Sequence, residues 1–204
     1  MKPTVSVIVP TYNQSPAYLR AALLSAKMQT YPCQIVVVDD GSDRDQMAVV
    51  AEVLGDLWDG SNPHRFHRQP NGGVASALNK ALELSTGAYI TWLPSDDLFK
   101  PQKTEVQLAA MQEHDMAVSF CAWEEGIPQP VNTWPAAQYA SREHLFAMLC
   151  QHSFINAATV MWRRDVFEAA GTWDERFRHC QDYHMILKCA AKYHFLAVNE
   201  PLVR

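Results

Sequence analysis

The 204-residue chain lacks a C-x-x-C pair, a long apolar run and a strong excess of either charge. Its five cysteines, Cys33, Cys121, Cys150, Cys180 and Cys189, are odd in number and widely scattered. That pattern argues against a zinc site and a disulfide framework and fits a reducing compartment. Cys180 reads as a small buried hydrophobe. The eight histidines include no H-x-x-x-H spacing, so none is assigned to metal. No stretch approaches the roughly 20 apolar residues that span a bilayer. Lys2-Pro3 and the short apolar stretch Val5 to Val9 do not make a signal peptide. A cytoplasmic location is expected, with peripheral association at the inner face of the membrane left open. A net charge of −5 gives no electrostatic reason to bind nucleic acid. No G-x-G-x-x-G follows the first strand, which argues against a dinucleotide fold.

What is present is apolar patterning in two alternating registers. Hydrophobic residues make up 48% of the chain, enough for one core, and charged residues 19%, too few for disorder. The length fits a single domain over 1–204. Val5-Ser6-Val7-Ile8-Val9 reads as a buried strand that stops at Pro10-Thr11-Tyr12-Asn13. Pro16 suits the first turn of a helix with Leu19, Ala22, Leu23 and Ala26 on one face. Ile35 to Val38 predicts the second strand. Ser42 or Asp43 is the expected cap of a helix carrying Met47, Val50, Ala51 and Leu54, ended by Gly55. A weaker strand lies around His64 to Arg68. Asn71-Gly72-Gly73 leads into a helix with Val74, Ala77, Leu78, Ala81 and Leu82, ended at Gly87.

Ala88 to Trp92 predicts a further strand, Pro101 the start of another helix, and Met116 to Phe120 a fifth strand. This repeated β-α order implies an α/β fold with a mostly parallel central sheet covered by helices. After Phe120 the regularity breaks. Gly126 to Pro135 reads as a loop. Ser141 caps a short helix through Leu149, and Ala158 to Trp162 is a candidate strand. Helices are expected from about Arg164 to Ala170 and from about Asp182 to Lys192.

Acidic residues follow the predicted strands. Asp39-Asp40 end the second, Asp96-Asp97 follow the fourth, and Asp182 opens the last helix. Ligands of open α/β sheets bind outside the carboxyl ends of the strands. Carboxylates gathered there can hold a hard divalent cation, a ribose hydroxyl or a proton in transit. Each also has a plainer reading: Asp39-Asp40-Gly41-Ser42 as an acidic turn, Ser95-Asp96-Asp97 as a solvated turn, Asp182 as a helix-terminal carboxylate.

Taken together, the segments resemble a family-two inverting glycosyltransferase of the GT-A fold. The resemblance is carried by Val5 to Asn13, Val37-Val38-Asp39-Asp40-Gly41-Ser42, Asn71-Gly72-Gly73 and Ser95-Asp96-Asp97. Phe167-x-x-x-Gly171-x-Trp173-Asp174-Glu175 and Gln181-Asp182-Tyr183 follow in the same order. It implies a three-layer sandwich whose residues 1–120 bind a nucleotide-sugar and whose residues 121–204 hold the acceptor and a catalytic base. It implies a hexosyltransferase-type activity, in which a sugar moves from a nucleotide donor to a saccharide or lipid-linked acceptor.

The resemblance also implies roles. Pro10, Thr11, Tyr12 and Asn13 receive the nucleotide base, Tyr12 by stacking. Asp40 accepts from N3–H of uracil, which favours UDP, although dTDP offers the same donor. Asn71, Gly72 and Gly73 bring backbone N–H groups near the donor. Asp96 contacts ribose or sugar, and Asp97 ligates Mn2+ or Mg2+ with the diphosphate. Asp182 is the general base of a single displacement. Trp173, Asp174 and Gln181 are assigned to acceptor or sugar contact. Trp123, Trp134 and Tyr139 can stack on an acceptor ring or simply pack.

Two positions depart from the family pattern. Gln181 stands where Glu is usual, and Leu78-Asn79 where Arg-Asn is common. A non-catalytic nucleotide-sugar-binding module therefore stays open. A nucleotidyltransferase is disfavoured, because the first loop lacks a G-x-G-T-R-like run. Relatives often continue past the point matching Pro201-Leu202-Val203-Arg204, so a truncated chain, or part of a larger assembly, also stays open. The sugar, the acceptor and the oligomeric state are not written in the sequence; polysaccharide or lipopolysaccharide biosynthesis is the family's usual setting.

Overall fold

Alternation along the strands sorts side chains onto two faces of one sheet, and helices close both faces. The computed structural model describes residues 5–44, 46–55, 63–126 and 132–204. Its strands are β1 (Val5–Thr11), β2 (Gln34–Asp39), β3 (Arg65–Arg68), β4 (Tyr89–Trp92), β5 (Val118–Glu125), β6 (Asn132–Trp134), β7 (Met161–Arg163) and β8 (Phe195–Val203). They form one sheet in the order β3-β2-β1-β4-β7-β5-β6, with β8 paired to β5. The helices are α1 (Pro16–Lys27), α2 (Met47–Leu54), α3 (Val74–Leu84), α4 (Lys103–Glu113), α5 (Arg142–Gln151), α6 (Asp165–Ala170) and α7 (Gln181–Ala190).

Val5, Val7 and Val9 of β1 pack in one core with the apolar faces of α1, α2 and α4. Ile8, pointing the other way, packs with α3, α5, α6 and α7. The period of two in a strand makes this division. Full burial of each such side chain contributes about 1.5–3 kcal/mol. The result is the three-layer α/β sandwich expected. β1 pairs in parallel with β2 and β4, and β2 with β3. β1 runs two residues past its predicted end and includes Pro10. Its pairing to β4 ends at Ile8, so the missing N–H breaks no ladder bond on that side.

The second half differs more from the sequence reading. The candidate strand Ala158 to Trp162 holds only at Met161 and Trp162, in β7, which runs antiparallel to both β4 and β5; its first residues form a 3-10 turn, Ala157–Thr159. β5 extends to Glu125, and residues 132–134, read as loop, pair with it as β6. Residues 127–131 of that loop lie outside the described residues. β8 carries no clear strand signal in the sequence; its alternation is interrupted by Asn199, Glu200 and Pro201, where its register to β5 shifts. α3 ends at Leu84, with Ser85 Oγ on the Leu82 carbonyl, before the predicted stop at Gly87. Ser141 does cap α5, accepting from His144 N at 3.2 Å.

Candidate active site

The carboxyl ends of β1, β2 and β4 leave a cleft of about 330 Å3 lined by Pro10, Thr11, Tyr12, Asp40, Trp92 and Asp96, among others. Parallel pairing sets these three strand ends side by side, so residues far apart in sequence meet. A second cleft of about 540 Å3 shares Tyr12, Asp40 and Val74 with the first and adds Asn71, Gly72, Gly73, Phe177 and Arg178. On the other side, Asp96 is shared with a smaller cleft holding Asp97, Glu124 and Arg204. That one shares Trp123 and Asn156 with a fourth, of about 800 Å3, which Asp182 lines. Shared walls thus join Tyr12 to Asp182 through the Asp96-Asp97 turn.

Tyr12 projects from the end of β1 and is 53% exposed, a flat face open to a ligand. Asn13 does not line this cleft. Its amide donates to Asp43 Oδ2 (3.1 Å) and accepts from Asp43 N (2.8 Å), and its own N–H donates to Ser42 Oγ (2.8 Å). Asn13 therefore ties the first loop to the second and aims Tyr12. Ser42 is occupied here and with Asp39 Oδ1, so neither it nor Asp43 caps α2, whose N-cap is Gln46. Gln14 lines the cleft and reaches Ser95 Oγ at 3.2 Å, a link that spacing did not reveal.

Asp40 is 3% exposed, and its carboxylate is largely committed. It accepts from Gly72 N (2.9 Å), Gly73 N (2.8 Å) and Gln69 Nε2 (2.8 Å). The expectation that the Gly72 and Gly73 amides face the donor is corrected: they face Asp40. A carboxylate has about four acceptor positions, so one remains. Gly41 makes this approach possible. Its φ is +81°, and a Cβ there would lie 2.7 Å from Asn71 N. Gly41→Ala is expected to combine backbone strain with that clash, lowering stability by about 1–3 kcal/mol and weakening nucleotide binding. Thermal melting with and without UDP checks this. Asp39 is fully buried, accepts from Ser42 N and Oγ, and pairs with Arg68 Nε at 3.4 Å; it serves the loop.

The Asp96-Asp97 turn is held from two sides. After it, Leu98 and Arg204 exchange backbone hydrogen bonds (2.6 and 2.8 Å), so the end of β8 fixes the turn. Within it, the Asp97 N–H donates to the Pro94 carbonyl (3.2 Å). The buried Lys103 ammonium donates to Thr91 Oγ1 and Gln107 Oε1 (both 2.8 Å) and sits 4.2 Å from the Phe99 ring centroid. Burial pulls this ammonium down to about 8. Asp97 is pushed up to about 6, by burial first and by the Asp96 charge second. Its carboxylate has no hydrogen bond or ion pair among the described residues. Neighbouring Glu124 is neutralised by Lys100 (2.8 Å) and Arg204 (3.0 Å), which hold it below the usual carboxylate range.

The model of the family described as Glycosyl transferase family 2 matches residues 6–171. The chain belongs to this family. An uncharacterized glycosyltransferase of Rickettsia typhi is 33% identical over 196 residues, covering 91% of this chain and 58% of the relative. The chain thus spans little more than half the length of such curated relatives. Among solved structures, S. aureus TarS 1-349 in complex with UDP-GlcNAc superposes with a TM-score of 0.76 at 21% identity, covering 98% of this chain and 57% of that one. The mannosyltransferase PcManGT of Pyrobaculum calidifontis, in complex with GDP-Man and Mn2+, gives 0.65 at 20% identity, covering 98% and 55%. The fold is therefore GT-A.

In this family-two chain Asp182 sits in the first turn of α7, half-buried, on the wall of the 800 Å3 cleft. Gln181 beside it is buried, with Oε1 unpartnered. Trp173 is corrected from acceptor contact to core: it is 2% exposed and packs edge-on against Trp162 at 5.8 Å. Asp174 organises its own loop. Arg176 binds it through the side chain and backbone and holds it well below the usual carboxylate range. Asn79, adjacent to the missing arginine position, clamps Trp173 through its backbone N and O at 3.0 and 2.9 Å. Cys180 is exposed, not buried, with φ 59° at the start of α7.

Arg178, which the sequence reading passed over, lines the same cleft as Tyr12 and Asp40 and has no ion pair among the described residues. Among the described residues no three of His, Cys, Asp or Glu converge on one point. The donors present still suit a divalent ion bound in part by its substrate. Asp97 is a withdrawn carboxylate beside a second negative charge, with no ion pair among the described residues. No helix among the described residues is long and apolar enough to cross a membrane.

Proposed function

We propose that this chain transfers a sugar from a UDP-sugar to an acceptor hydroxyl with inversion, using Asp182 as general base. The supporting observation is the continuity of the clefts from Tyr12 to Asp182 through Asp96 and Asp97. In this reading the uracil stacks on Tyr12, and the remaining acceptor position of Asp40 takes its N3–H. Asp40 is already fixed by three donors, so it reads the base without reorganising. Asp96 meets the ribose. Arg178 offers a charge to the diphosphate from the same cleft, in place of the arginine absent at Leu78, whose side chain is fully buried.

Asp97 would hold a Mn2+ or Mg2+ ion together with diphosphate oxygens. Such an ion, when bound, offsets the charge that builds on the departing UDP. The protein's own work is at the other end of the cleft. Asp182 accepts the acceptor's hydroxyl proton as oxygen attacks the anomeric carbon from the side opposite UDP. A non-catalytic binding module would use the same nucleotide cleft but would not need a carboxylate at the far end.

Calorimetric titration of UDP, GDP and dTDP, each with Mn2+ and with EDTA, tests the donor half. UDP binding that depends on Mn2+ is the expected result, and a preference for GDP would overturn the Asp40 reading. Tyr12→Ala is expected to weaken UDP by about 1–3 kcal/mol, the worth of one base stacked on an aromatic ring. Unchanged affinity in that variant would remove the stacking role.

A further inference from the structure

The β5–β6 hairpin presents two tryptophans that donor chemistry does not use. Trp123 and Trp134 are cross-strand partners with ring centroids 5.7 Å apart and planes within 16°. Trp134 is 48% exposed, although an indole is among the most favourable side chains to bury. Both line the 800 Å3 cleft that also holds Asp182. Its volume is within the range of small-ligand sites. Among the described residues its polar lining is sparse: Ser153, Asn156 and Asp182. Asn156 Oδ1 already accepts from Ala158 N at 2.9 Å, which turns its amide NH2 into the available donor. Asp182 is the only ionisable group among the described residues that line this cleft.

We propose that this cleft is the acceptor subsite and that it takes a neutral saccharide, one pyranose face stacked on Trp134. This rests on the reading of Asp182 as base. A pyranose ring presents axial C–H groups on a face and hydroxyls at its edge. The C–H face suits the negative face of an indole, and the edge suits a few amide and hydroxyl partners. A phosphate or uronate on the same ring would meet Asp182 with no Lys, Arg or His in the described lining to offset the repulsion. Among the described residues, a cleft cation with no ion pair lies elsewhere, at Arg178 beside Tyr12 and Asp40, whereas Arg204 is paired with Glu124. Charge therefore separates the two substrates: the anionic donor on one side, the uncharged acceptor on the other.

The test uses chitotriose, cellotriose and maltotriose as neutral probes, with a hyaluronan tetrasaccharide and glycerol 3-phosphate as charged ones. Saturation-transfer NMR is recorded on the intact chain, without nucleotide and with UDP and Mn2+. At least one neutral trisaccharide is expected to bind, more tightly than either charged probe. Trp134→Ala should weaken it at least about tenfold, and Trp134→Phe should retain most of the affinity, while UDP affinity stays as in the wild type and the melting temperature falls by only about 2–4 °C through loss of the stack on Trp123. The proposal is overturned if no neutral probe binds, if a charged probe binds best, or if Trp134→Ala binds the trisaccharide unchanged. Absence of UDP binding in the wild type would instead sink the donor reading, because the saccharide arm is also read without nucleotide.

Discussion

Asp182→Asn is expected to lose transfer by about 10²–10⁴-fold while binding UDP and Mn2+ as the wild type does. The substitution keeps the shape of the side chain in the first turn of α7 and removes its ability to take a proton. The only structural debt is the interaction of a carboxylate with the helix N-terminus, about 0.3–1 kcal/mol, too little to unfold the domain. The donor clefts around Tyr12, Asp40 and Arg178 do not include Asp182, so donor affinity should not move. The measurement is transfer from a UDP-sugar to the acceptor found by screening, beside calorimetry of UDP. Transfer retained by purified Asp182→Asn would take the base assignment away from this residue. Loss of both transfer and UDP binding would point to a collapsed cleft and equally defeat the assignment.

Asp97→Ala is expected to abolish the Mn2+-dependent part of UDP binding and to lower transfer by about 100-fold or more, since a metal ion supplies several kcal/mol of charge stabilisation. The same change should leave the melting temperature of the metal-free protein unchanged or raised. The wild-type carboxylate is withdrawn from water, pushed up to about 6, and lies beside Asp96. Removing it relieves a desolvated charge and leaves the Asp96 charge with one repulsive neighbour fewer. The turn itself is held by the Asp97 N–Pro94 O bond and the Leu98–Arg204 backbone pair, which do not involve the Asp97 side chain. A variant that loses function and stability together would contradict this account, because it would mean that Asp97 holds the fold rather than an ion. Glu124 cannot take over, being already paired with Lys100 and Arg204.

The first half of the fold was legible because its signals are local. β-branched runs, helical spacing and the punctuation at Pro10, Gly55 and Gly73 repeat in short windows, and parallel β-α units bring the strand ends together by topology alone. That is why Tyr12, Asp40 and Asp96 were expected in one cleft and do line one. The second half lacks that repetition. β7 is three residues long and antiparallel, and β8 carries a register shift at Asn199 to Pro201, so neither shows a clean period of two. Trp173 reads as a possible sugar platform from its motif, but its burial against Trp162 and Phe167 depends on partners that no spacing identifies.

By itself, the sequence determined the α/β class, the positions of the carboxylates relative to strand ends, and membership of a glycosyltransferase family, because these rest on residue types and short-range order. Only the tertiary structure decided what each carboxylate is free to do. Asp40 is claimed by amides 32 and 33 residues away, Asp39 by its own loop and Arg68, Asp174 by Arg176, and Glu124 by Lys100 and Arg204. Among the described residues Asp97 keeps no such partner, and Asp182 lines a cleft with Trp134 that holds no other ionisable group. The physical reason is that a charge is spent or kept by its neighbours in space, and those neighbours come from strands and helices that the chain joins only on folding.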